Sequence, residues 1–176
     1  MNEMNVKKMT LSAILIAIGY ILHQIVPGIP FLGGMKMDFL LVMMFFSIFL
    51  MDNYREVLAV AMVCGIISAL TTTFPGGQIA NLVDKVITGS IVFIVYKNMG
   101  QRIPRLMKVS VIALFGTIVS GAIFLSVGLA LSGAPISFMD LFIGIVLPTS
   151  VLNTVLSVFM EKIMERAGYV KVLSEV

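Results

Sequence analysis

Tryptophan is missing from this 176-residue chain, charged residues make up only 12% of it, and cysteine and histidine occur once each. The shortage of charge excludes a soluble globule, which needs polar side chains to coat its surface. The lone cysteine, Cys64, lies in an apolar run and can form no internal disulfide. The lone histidine, His23, leaves no set of ligands for zinc and no recognisable Ser-His-Asp arrangement. A phosphate-binding loop of the Gly-Lys-Ser/Thr type is also lacking, so any energy from ATP must come through a partner, and no cofactor is expected. Lys7 and Lys8 precede an apolar stretch as in a signal peptide, but no small-residue cleavage site follows, and the stretch reads as a retained first helix.

What the sequence has in abundance is apolar length: 59% of residues are hydrophobic and the mean hydropathy is +1.08. Runs punctuated by glycine, proline and charge give approximate spans at 9–26, 38–51, 55–71, 79–97, 109–131 and 138–160. The expected fold is therefore an all-α integral membrane protein with six transmembrane helices in one membrane domain, 1–176. The second run is short for a hydrocarbon core of about 30 Å and the third is marginal, so these helices are expected to be partly shielded by neighbours or extended into their loops, with a re-entrant hairpin as the competing assignment. With the N-terminus inside, the cytoplasmic segments hold Lys7, Lys8, Arg55, Lys97, Arg102, Arg105, Lys108, Lys162, Arg166 and Lys171, leaving only Lys36 and Lys85 elsewhere. Basic loops stay in the cytoplasm, which puts both termini there and explains the pI of 9.1 without nucleic acid.

The outer connections are then 27–37, 72–78 and 132–137, and the first two are both turn-rich and apolar. An apolar loop with paired glycines is expected to fold back over something. Beyond the second connection, Gln78, Asn81, Asp84, Lys85 and Thr88 recur at spacings of three and four and share one broad helical face. Ionisable groups inside a span normally face the protein interior or a water-filled cavity. Asp84 and Lys85, with Lys36 and Asp38, supply two charges of each sign near the outer surface, as an amino-acid zwitterion requires; a purely structural ion-pair network would use the same residues. Phe31, Met35 and Phe74 offer apolar and aromatic contacts suited to an indole. In the sixth span, Pro148 frees a backbone carbonyl near Gly144, and Asn153 lies one turn beyond Thr149, facing either a pocket or another helix. Ala13 and Ala17 form a small-xxx-small face on the first helix.

Taken together, the six helices in under 200 residues, the cytoplasmic termini, Ala13-xxx-Ala17 and the apolar loop before the second helix resemble the S components of energy-coupling factor (ECF) transporters. The stretches Phe31-Leu32-Gly33-Gly34-Met35-Lys36-Met37-Asp38 and Ile67 through Asp84-Lys85 are similar to the tryptophan transporter family within that group. The resemblance implies a membrane-embedded binder that captures substrate outside and associates with a transmembrane T component and two ATPase subunits, which use the ATP. It implies a docking role for Ala13 and Ala17 and a pocket roof at Gly33, Gly34, Met35 and Lys36.

The sequence thus points to a substrate-binding subunit for uptake of a small molecule, with tryptophan expected, in the bacterial cell membrane. A vitamin or other aromatic substrate, or a self-sufficient secondary transporter, remains the alternative. A membrane enzyme acting on lipid through Asp84 or Asp38 is disfavoured because metal set and nucleophile are both missing.

Overall fold

The computed structural model describes residues 3–26, 37–100, 102–166 and 168, and every regular element among them is helical. The helices are α1 (Glu3–Ile25), α2 (Phe39–Leu50), α3 (Tyr54–Thr71), α4 (Gly77–Asn98), α5 (Arg105–Ser132) and α6 (Phe138–Arg166). Five are long and apolar enough to cross a membrane, and α2 is the exception at 12 residues. In the five long spans only 28–39% of the residues are buried inside the protein. The remaining surface presents side chains such as Ile94, Phe115, Ile143, Val155 and Phe159 outward, an exposure that water would not tolerate but lipid does. The protein is a multi-pass membrane protein.

The short helix is the centre of the bundle. All twelve residues of α2 are buried, and it packs against each of the other five helices. At about 1.5 Å per residue it covers roughly 18 Å, too little for a bilayer, and its apolar side chains on every face meet protein instead of lipid. It is a single helix, not a hairpin. Asp38 caps it by accepting the Leu41 N–H at 3.0 Å, which satisfies one of the donors that the first turn leaves free.

The flanking turns are equally local in origin. Glu56 reaches back to the Asp52 N–H and to Asn53, closing the start of α3. Between α3 and α4, Phe74 N–H donates to Thr72 Oγ1, and Gly76 takes the left-handed conformation (φ 72°) that redirects the chain into α4.

Antiparallel alternation brings the basic residues to one end of the bundle. There Lys8 pairs with Asp52 at 2.5 Å, Lys97 approaches the same carboxylate at 3.7 Å, and Arg105 pairs with the buried Glu161. The opposite end collects the starts of α2, α4 and α6 and the end of α5.

Candidate functional site

Toward that second end the four helices α2, α4, α5 and α6 enclose a cavity of about 320 Å³, within the size range of small-molecule sites. Its floor is a charge cluster on α4. Asp84 is fully buried and takes three donors from its neighbours: Thr88 Oγ1 donates to Oδ1 at 2.8 Å, while Ser120 Oγ and Lys85 Nζ donate to Oδ2 at 2.8 and 2.6 Å. Residues one apart on a helix normally diverge by about 100°, so the Asp84–Lys85 pair forms only because the lysine stem bends to meet its neighbour beside Ser120. The ammonium also lies 3.4 Å from Ser120 Oγ. A carboxylate buried this deeply needs a counter-charge and hydrogen bonds to remain in place, and it has both.

One wall is built around Asn153, which is 0% exposed. Its Oδ1 accepts the Asp38 N–H at 2.8 Å, and its Nδ2 donates to Thr117 Oγ1 at 3.2 Å. A single side chain on α6 thereby ties the start of α2 to the middle of α5. Asp38 also has His23 Nδ1 at 3.4 Å from Oδ1, which joins the end of α1 to the same wall. On α4, Asn81 Nδ2 donates to the Gly77 carbonyl at 2.8 Å and more weakly to that of Ser68, so it both lines the cavity and fixes α4 against α3.

The other wall is apolar. Phe74 and Phe124 meet edge to face at 5.3 Å between ring centres. Opposite them, residues Phe142–Val146 of α6 form a π-helical turn in which Leu147 N–H donates five residues back to Phe142. Pro148 has no N–H to return to Gly144, which removes one α-helical bond and favours this wider turn. The widened segment directs Ile145 and Val146 at the cavity, and Gly121 on α5 provides the room for Val146.

Of the residues singled out in the sequence, Asp38, Phe74, Asn81, Asp84, Lys85 and Asn153 line this one cavity. Gln78 does not; it is exposed at the start of α4. Phe31, Gly33, Gly34, Met35 and Lys36 lie outside the described residues. Lys85 and Asp38 do not pair with each other; each has its own partners. Thr117, Ser120, Gly121, Phe124, Leu141 and Val146 also line the cavity, although sequence reasoning passed over them. Thr117, Ser120, Gly121 and Phe124 recur at spacings of three and four along an apolar helix, a polar and small-residue stripe that the periodicity carries. Ala13 and Ala17 lie elsewhere, exposed in an apolar groove of about 400 Å³ between α1 and α3. Among the described residues no cluster of His, Cys, Asp and Glu has the composition of a metal site.

Residues 5–167 match the family described as "Tryptophan transporter TrpP". A "Probable tryptophan transport protein" of Clostridium acetobutylicum is 40% identical over 87% of this chain and 88% of its own length. Proteins of the same description from Bacillus subtilis and Clostridium perfringens are 41% and 38% identical, each over more than nine-tenths of both chains. No solved structure matches the sequence significantly. At that identity and coverage the chain belongs to the tryptophan transporter TrpP family.

Proposed function

We propose that this chain is the substrate-binding membrane subunit of a bacterial tryptophan uptake system of the ECF type, energised by partner ATPases, and that tryptophan binds in the cavity bounded by α2, α4, α5 and α6. The observation that carries the reading is the juxtaposition in one cavity of a buried acid–base pair, Asp84 and Lys85, with the edge-to-face Phe74 and Phe124 rings. A zwitterion with a large flat ring needs both, because its charged end loses water on entry and its indole gains from aromatic and aliphatic contact. The names of the relatives support tryptophan as substrate. The basic end of the bundle supports cytoplasmic termini, with the cavity toward the outside.

In this reading the ATPases and the T component are partner subunits, in keeping with the lack of a Gly-Lys-Ser/Thr loop in these 176 residues, and the Ala13–Ala17 groove is the surface offered to the T component. The test uses the absence of tryptophan from the protein: any indole emission comes from ligand. Purified protein is expected to retain tryptophan and shift its emission at micromolar concentration. Failure to do so removes tryptophan as substrate and sends the search to vitamins and other aromatic compounds. Uptake by the lone protein in ATP-free liposomes would instead identify a self-sufficient secondary transporter.

A further inference from the structure

We infer that Lys85 is the carboxylate ligand and Asp38 the ammonium ligand of the captured amino acid, and that Asp84 never touches substrate but acts as a positioning residue for Lys85. This inference rests on the capture reading and assigns the carboxylate end of the zwitterion to the floor of the cavity and the ammonium end to the Asn153 wall.

The assignment follows from counting donors and acceptors. A lysine ammonium has three N–H donors. Asp84 Oδ2 takes one at 2.6 Å and Ser120 Oγ a second at 3.4 Å, and no described residue takes the third. Lys85 lines the cavity, so that third donor is available to a ligand acceptor.

Asp84 is the poorer acceptor for a ligand. It lines the same cavity but is 0% exposed and already takes three donors, Thr88 on Oδ1 and Lys85 and Ser120 on Oδ2. An incoming ammonium would have to displace Lys85 from it and leave a second cation in the same buried space. Asp38 differs in the required way: Oδ1 caps α2 and faces His23, whereas no described residue donates to Oδ2, and its side chain is 28% exposed. It lines the same cavity.

The test uses three indole compounds read by the same emission: tryptophan, tryptamine, which lacks the carboxylate, and indole-3-propionate, which lacks the ammonium. Wild-type protein should bind tryptophan at least about tenfold more tightly than tryptamine, as one charge-assisted hydrogen bond commands. The paired change Asp84→Asn/Lys85→Met removes both buried charges and strands neither, so the fold is expected to survive. It should weaken tryptophan and indole-3-propionate roughly tenfold to a hundredfold and leave tryptamine unchanged. Asp38→Asn keeps the helix cap while removing the charge. It should give the mirror pattern, weakening tryptophan and tryptamine but not indole-3-propionate.

Loss of tryptamine in the Asp84/Lys85 variant to the same extent as tryptophan would show Asp84 on the ammonium and overturn the assignment. Equal binding of tryptophan and tryptamine by wild-type protein would overturn it without any variant, so a variant that failed to fold would not protect it. Wild-type protein that retains none of the three compounds removes the capture reading itself, whereas a wrong pattern among bound compounds removes only the assignment of ends.

Discussion

Replacing Gly121 with alanine tests whether the packing of α5 against the π-helical turn sets the shape of the cavity. A Cβ at Gly121 would lie 2.5 and 2.7 Å from the two Val146 Cγ atoms and 3.1 Å from its Cβ. Carbon atoms pack favourably at about 3.5–4.0 Å, so two contacts fall short by roughly 1 Å. Valine in a helix has one strongly preferred rotamer and cannot turn both methyl groups away. The strain must go into moving α6, at a cost typical of overpacking, about 1–3 kcal/mol. For a chain of this size that lowers the unfolding midpoint by about 2–4 °C per kcal/mol. Cys64 is the sole cysteine and is fully buried, so a thiol-reactive dye reports unfolding in detergent without an introduced cysteine. Gly121→Ala should therefore unfold several degrees early and bind tryptophan more weakly. Val146→Ala deletes the two clashing atoms, at a cost of about 1–2 kcal/mol for two buried methyl groups. Combined with Gly121→Ala it should recover about 1–2 kcal/mol relative to the sum of the single changes. Gly121→Ala protein with wild-type unfolding and binding would refute the close approach.

Three further expectations follow from separate contacts. Asn153→Leu strands the Asp38 N–H and the Thr117 hydroxyl; a cycle with Thr117→Val should show a coupling of about 0.6–1.7 kcal/mol, and strictly additive unfolding energies would contradict the bridge between α6 and α5. Phe124→Ala removes the ring packed edge to face on Phe74, worth about 0.5–1.5 kcal/mol beyond its buried area; titration of ligand indole emission should show roughly threefold to tenfold weaker binding, and an unchanged curve would dismiss the aromatic wall. Ala13→Leu and Ala17→Leu fill the groove between α1 and α3, so cells carrying the coupling partners should lose tryptophan uptake while the purified variants bind tryptophan normally; loss of binding in these variants would place the groove within the binding site.

The sequence by itself determined the solvent, the helix class and the gathering of basic residues at one end of the bundle. Those properties depend on composition and one-dimensional spacing: a run of apolar residues long enough for a bilayer, or a lysine beside such a run, has the same meaning wherever its neighbours pack. The cluster Asn81, Asp84, Lys85 was legible for the same reason, since a helical period of 3.6 puts it on one face. The proline at 148 signalled a freed carbonyl, but the π-helical turn that widens the cavity depends on how the strand of bonds rearranges around it. Gln78 obeys the helical period yet is exposed, because periodicity gives direction around an axis and says nothing about where covering helices stop.

Tertiary structure decided the rest. It put α2 in the centre, buried on all sides, where hydropathy alone shows only a span that is too short. It paired Lys85 with its own chain neighbour instead of with Asp38, and it joined Asn153 to both Asp38 and Thr117 across more than a hundred and across 36 residues of sequence. It also recruited the Thr117, Ser120, Gly121 and Phe124 face of α5. The reason is physical: a hydrogen bond or a packed ring acts over a few ångströms, and residues far apart in the chain come within that range only after the helices have been packed.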